Sequence, residues 1–261
     1  MNLGSACVAV LETAEPHAKL MAARAAARDW RLGRLAHRFD ATPPDQPARP
    51  ASPQLLAPRE MPSRRGGGER ARTAMIHALA HIEFIAIDLA LDMVARFGAL
   101  YPPSFADDWL KVGADEAMHF AMLDRRLRTL GSHYGALPAH DGLWEAARVT
   151  AHDAAARLAI VPMVLEARAL DITPQTIVRF EGAGDAATAK LLKRIMADEI
   201  VHVAAGTKWF LWTVNRTGSN PQETYQNLVR RYFRAALKAP FNDSARDEAG
   251  LTRDFYLPLA G

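Results

Sequence analysis

The sequence predicts an all-α protein built on a four-helix bundle, with additional N- and C-terminal helices and an extended Pro-rich arm. Three observations predict it. Four long stretches carry apolar residues at helical period and almost no strand alternation. Turn signals ("YPPS", "GSHYGALPAHDG", "DITPQ", "RTGSNP") punctuate them. Acids and histidines stand inside their apolar stripes at matching positions.

In chain order, residues 13–39, rich in Ala, Leu and Arg, read as a basic helix with a solvated Arg face. Clustered Pro and a Gly triplet then forbid regular helix between Asp40 and Arg70 and suggest an arm wrapping the domain, or a linker. The four core helices are expected from Arg72 to about Phe97, Ser104 to Leu130, Leu143 to Asp171 and Ala183 to Asn215, with Pro162 able to break the third. A fifth, roughly Gln222 to Lys238, precedes an irregular tail. The expected organisation is 1–71 as N-terminal helix and arm, 72–220 as the bundle, and 221–261 as C-terminal helix and tail.

A chain of 261 residues, 49% hydrophobic and 23% charged, buries a full core. Its formal charge of only +3, with acids and bases interspersed, argues against a dedicated nucleic-acid binder. The single Cys7 excludes a cysteine-built metal site or disulfide framework, so any metal is held by His and carboxylates. No run approaches 18 uninterrupted apolar residues, and the expected setting is the cytoplasm, with no membrane partner.

The chemistry lies in "GADEAMHF". On a helix, Glu116 shares its face with Phe105, Trp109, Val112, Gly113, His119, Phe120, Leu123 and Leu127. In "MADEIVHVAAG", Glu199 and His202 fall with Leu192, Ile195, Val203, Gly206 and Phe210. Glu83 lies among Ile76, Ala80, Ile87, Ala90 and Val94, and Glu166 among Leu158, Ala159, Met163 and Leu170. Four glutamates and two histidines therefore point into an apolar interior.

The spacing repeats. Glu83 to Glu116 is 33 positions, as is Glu166 to Glu199, and each element of the first pair recurs 83 positions later. Glu83-x-x-Ala86-Ile87-Asp88 matches Glu166-x-x-Ala169-Leu170-Asp171, and Asp115-Glu116-x-x-His119 matches Asp198-Glu199-x-x-His202. With twelve Glu and nine His in the chain, chance supplies roughly 0.4 Glu-x-x-His matches; the shared spacing gives the pattern its weight. Two related helical hairpins leave such a record.

An ionised carboxylate in an apolar interior costs several kcal/mol or shifts its pKa until it neutralises. Two divalent ions against four carboxylates solve the problem, and the six residues match the ligand set of di-iron and di-manganese carboxylate bundles. Glu83, Glu116 and His119 would serve mainly one metal and Glu166, Glu199 and His202 the other, with Glu116 and Glu199 the candidates for bridging. Asp115 and Asp198 would orient the histidines as crossed pairs, Asp115 with His202 and Asp198 with His119. A metal-free polar core network is the competing reading. His77, His81 and His152 are expected to be structural, and Asp88 and Asp171 to form salt bridges off the metal face.

The segments "HALAHIEFIAIDLALD", "DEAMHF", "VPMVLEARALD" and "ADEIVHV", with "PARPASPQLLAPREMPSR" before them and "PFNDSARDEAG" after, resemble the bacterial ferritin-like family catalogued as domain of unknown function 455 (DUF455). The resemblance implies a ferritin-like bundle with a dinuclear iron, manganese or mixed centre on the six residues. Its superfamily includes rubrerythrins, ribonucleotide reductase small subunits, multicomponent monooxygenases and a tRNA hydroxylase. Met118 and Val201 stand where monooxygenases often carry Arg before the His, a departure from that branch. The implied function is an O2-dependent oxidoreductase, a hydroxylase or oxidase, taking an unspecified substrate, O2 and an electron donor. Alternatives are a ferroxidase or iron-handling protein and, less favoured, a tRNA-modifying hydroxylase. Storage would require a hollow multimer, whereas the long arm and tail are expected to cover the bundle or support a dimer, so the expected assembly is a monomer or homodimer.

Overall fold

Eleven α-helices and no β-strand make up residues 1–62, 68–233 and 235–261, those the computed structural model describes. They group into two units, Met1–Trp144 and Glu145–Gly261. Part of the glycine triplet, Gly66 and Gly67, lies outside the described residues.

The first unit holds α1 (Leu3–Leu11), α2 (Pro16–Arg31), α3 (Glu69–Phe97) and α4 (Pro103–Thr129). Helix α1 is missing from the sequence reading, being short and apolar throughout with no amphipathic period to mark it. Helix α2 stops at Arg31, not Phe39, because Gly33 takes φ +68°. The Arg34 and Gly33 amides then bond back to the Asp29 and Trp30 carbonyls, at 2.8 Å each, and close the helix end. The stretch Glu69–Leu100 is long and apolar enough to cross a membrane by length and composition, and 78% of its most apolar window is buried inside the protein.

The Pro-rich arm wraps the first unit, as one of the two expectations held. Its carbonyls, freed from helix by proline, accept from Lys19 (Ala48 O, 3.1 Å), Arg96 (Pro44 O, 3.1 Å) and Trp144 (Asp45 O, 3.1 Å). Ala139 and Leu56 close it onto the 131–142 loop by backbone bonds. His77 accepts at Nε2 from the Gly135 amide (3.0 Å), and His81 bonds Tyr134 Oη (2.9 Å) and the His140 carbonyl (3.2 Å), so both histidines pin that loop.

The second unit departs further from expectation. The third helix is expected as one piece from Leu143 to Asp171, but the chain makes four: α5 (Gly142–Val149), α6 (Ala154–Ile160), a π-helical turn Val161–Glu166, and α7 (Ala167–Gly182). Buried Arg157 closes the end of α5 through the Ala147 carbonyl (2.6 Å) and Thr150 Oγ1 (3.0 Å), while Asp153 caps α6. Pro162 then turns α into π, since its missing N–H breaks the i to i−4 ladder. The predicted turn "DITPQ" is helix instead. Pro174 deprives the Leu170 carbonyl of its donor, and Asn242 Nδ2 supplies a replacement at 3.1 Å, so α7 runs through the proline. Helix α8 (Ala186–Asn215) follows, then α9 (Pro221–Tyr232), which ends six residues short of the expected Lys238, and the short α10 (Asp243–Glu248) and α11 (Arg253–Tyr256). His152 is exposed and bonds Tyr232 Oη at 3.0 Å.

The repeated aspartates are salt-bridged, as their spacing suggested. Asp88 on α3 is fully buried against Lys19 Nζ (2.6 Å) and Arg49. Asp171 on α7 takes Arg246 through two bonds of 2.8 and 2.7 Å and the Asn242 amide at 3.0 Å. Their partners come from the chain's outer segments, on both sides. Burial pushes the Asp88 carboxyl up and the Lys19 ammonium down, and their mutual attraction opposes both shifts. Breaking one partner of such a buried pair strands a charge. Asp171→Ala is expected to lower stability by about 3–5 kcal/mol in urea denaturation, whereas exposed Glu145→Ala on α5 shifts it by less than about 1 kcal/mol.

Candidate metal centre

Helices α3 and α4 pack closely where Gly113 leaves room: a Cβ there would meet Leu91 Cδ2 at 2.5 Å. Gly113 lies three residues before Glu116, so the close approach brings the ligand-bearing turns together. Glu83 from α3 and Glu116 and His119 from α4 are buried, with His119 at 0% exposure. His119 Nδ1 stands 3.3 Å from Glu83 Oε2 and 3.3 Å from Glu116 Oε2. Each of the three residues offers a donor atom within 4.8 Å of the others.

Glu83 and His119 are both shifted upward in pKa. Burial, reinforced by the charge of Glu116, raises Glu83 to about 8. Burial alone would lower His119, but its hydrogen bonds to Glu116 and Glu83 and their negative charges outweigh that and raise it. A buried N, O, O donor set that retains protons in the absence of a cation suits a divalent metal, which displaces those protons on binding. The donor types fit iron or manganese.

In the second unit, α8 presents Glu199 (5% exposed) and His202 (0%), with His202 Nδ1 3.7 Å from Glu199 Oε1. The i, i+3 relation of α4 is repeated. Glu166 is the last residue of the π-helical turn, and its Oε2 is buried. Gly206, one turn beyond His202, has Pro162 at its back: a Cβ there would lie 2.4 Å from Pro162 Cβ. Buried Tyr225 donates to the Met163 carbonyl at 3.2 Å, inside the same turn. Gly206 and Tyr225 thus hold from two sides the turn that carries Glu166. The sequence reading placed Gly206 on the ligand stripe but had no signal for a π turn, since period-3.6 analysis assumes an unbroken helix.

Asp115 and Asp198 each have a cation one turn before them on their own helix, Lys111 to Asp115 at 2.5 Å and Arg194 to Asp198 at 2.7 Å. Both carboxylates are under 20% exposed, at 19% and 17%. Sequence reasoning missed the buried lysine. The signal was present: Lys19 shares a face with Ala23 and Ala26, small residues that let a neighbouring helix close over it.

Two predictions follow from this geometry. Glu83 binds its proton more tightly folded than unfolded, so its contribution is complete below about pH 4.5 and is lost as the pH rises toward 8. In chelator-treated protein, stability measured by urea denaturation falls across that window, by at most about 1.4 kcal/mol per pH unit from this group. Glu83→Gln flattens the decline. Gly206→Ala drives a methyl into Pro162 and costs about 1–3 kcal/mol, while alanine at exposed Gly182 on α7, which has open space around it, is neutral or stabilising.

An "Uncharacterized protein" of Haemophilus influenzae is 40% identical over 210 residues, covering 78% of this chain and 73% of its own. No solved structure matches. The family described as "Protein of unknown function (DUF455)" matches residues 12–257, nearly the full length, and the chain belongs to that family.

Proposed function

We propose that the chain is a ferritin-like dinuclear metal carboxylate protein acting as an O2-dependent oxidoreductase. The observation that carries this reading is the buried cluster of Glu83, Glu116 and His119, whose donor atoms lie within 4.8 Å of one another with no lysine or arginine among them. The Glu199-x-x-His202 motif and Glu166 repeat its donor set in the second unit. In this reading the two sets close into one four-helix bundle, Glu83, Glu116 and His119 holding one ion and Glu166, Glu199 and His202 the other.

A bound iron or manganese pair supplies the reduction of dioxygen and the oxidation of a substrate, with electrons drawn from an external donor. The chain's own residues set the conditions. Glu83 and His119 give up their protons as the site loads. Glu116 and Glu199 would be the candidates for bridging. In this reading Asp115 and Asp198 would orient the histidines as crossed pairs, Asp115 with His202 and Asp198 with His119.

The test is metal content by plasma mass spectrometry on protein purified without chelator or nickel resin. About two iron or manganese ions per chain are expected, falling below about 0.2 in the Glu116→Ala, Glu199→Ala variant, with oxygen consumption present only in the loaded wild type. A folded wild type that takes neither metal after anaerobic reconstitution defeats the reading.

A further inference from the structure

On the outer side of α4 lies an open groove of about 1140 Å³, entirely within the first unit and walled by α2. Its floor is apolar, formed by Met21, Leu110 and Ala114, and Met21 is left 53% exposed. The α2 wall is cationic. Arg24, Arg28 and Arg31 recur at i, i+4 and i+7, so all three stand on one exposed face. Arg28 is drawn to Asp29 at 3.2 Å, but Arg24 and Arg31 pair with no carboxylate among the described residues. Like charges at that spacing cost a helix a few tenths of a kcal/mol per pair, which the fold tolerates without neutralising them. Trp30 stands between, its Nε1 held by Asp107 Oδ1 at 2.7 Å, so the indole is fixed rather than free to fold over the groove.

The groove's position relative to the metal ligands matters. Asp107, Leu110, Lys111 and Ala114 share one face of α4, and Glu116 projects from the opposite face of the same helix. One helix thickness, about 10 Å, separates them. We propose that this groove docks the acidic face of a small electron-carrier protein, which delivers electrons through α4 to the metal pair; the inference rests on the dinuclear reading above. Each encounter would oxidise the carrier's cluster by one electron and reduce one bound metal ion by one, so a loaded pair would call for two carriers. A cationic wall beside an exposed apolar floor matches the small, weak, charge-steered interfaces of electron-transfer encounters. A phosphodiester strand fits less well, because the α4 side of the groove carries Asp107 and Asp115, and its one cation, Lys111, is drawn to Asp115 at 2.5 Å.

The experiment titrates an acidic [2Fe–2S] ferredoxin into the metal-loaded full chain by calorimetry, with stopped-flow reduction of the metal centre in parallel. Binding in the micromolar range is expected, weakening as salt rises from about 20 to about 200 mM. The Arg24→Glu, Arg31→Glu variant loses at least about tenfold in both affinity and carrier-driven reduction rate. Its metal content, circular dichroism and reduction by dithionite stay at wild-type values. Ferredoxin that fails to bind, or binds and reduces the variant equally well, overturns the proposal, as does tighter binding of a single-stranded RNA oligonucleotide than of the ferredoxin. Salt-dependent docking on a chain that holds no metal leaves the surface standing and removes the dinuclear reading with its electron delivery, so the two failures are told apart.

Discussion

Removing carboxylates from water is the costliest thing this sequence does, and the rest of the fold is arranged around how each buried acid is neutralised. Two solutions coexist within a few residues on the same helices. Asp88 and Asp171 are answered by permanent cations, Lys19 with Arg49 and Arg246. Glu83, five residues earlier on α3, and Glu116, on the facing helix α4, both stand 3.3 Å from the His119 imidazole, and burial holds a proton on Glu83. A protein built for stability alone would treat all four alike. The contrast separates a finished structural pair from a site left open to a different cation.

Small residues make both solutions possible. Gly113 lets α3 and α4 approach at the ligand turns, and Gly206 lets α8 seat against the π turn that ends on Glu166. Aromatic residues do the converse on the metal-free side of α3: Phe84 sits under Lys19 at 5.2 Å, and packs with Phe120 and Tyr134, so that the chain neighbours of two candidate ligands, Glu83 and His119, are locked in a ring cluster. The candidate donors thus project from backbone fixed on both sides, which is the condition for holding a geometry in the absence of its ion.

What was legible in the sequence was what period and spacing encode. The all-helical class, the inward glutamates and histidines, the salt-bridged aspartates and the loop-pinning histidines all follow from which face of a helix a residue occupies. What escaped was set by partners remote in sequence. Nothing near Pro174 reveals that Asn242 will satisfy the Leu170 carbonyl, so a proline that locally signals a turn is carried through a helix. Gly33 is one glycine among sixteen, and its left-handed conformation, which ends α2 early, follows from the chain's need to turn there. The interruption of the third helix depends on Arg157 reaching back to α5, a long-side-chain contact that no apolar pattern records.

The origin of the structural cations has a consequence for synthesis. Lys19 and Arg49 precede Asp88, so when α3 leaves the ribosome its buried acid already has both partners in hand. Asp171 waits for Arg246, seventy-five residues later. Vectorial folding therefore lets the first unit close as it emerges, while α7 carries an unanswered charge until seventy-five further residues have been made. The interval between those two moments is when the nascent protein is most exposed to misfolding, and its length is written in the distance between one aspartate and one arginine.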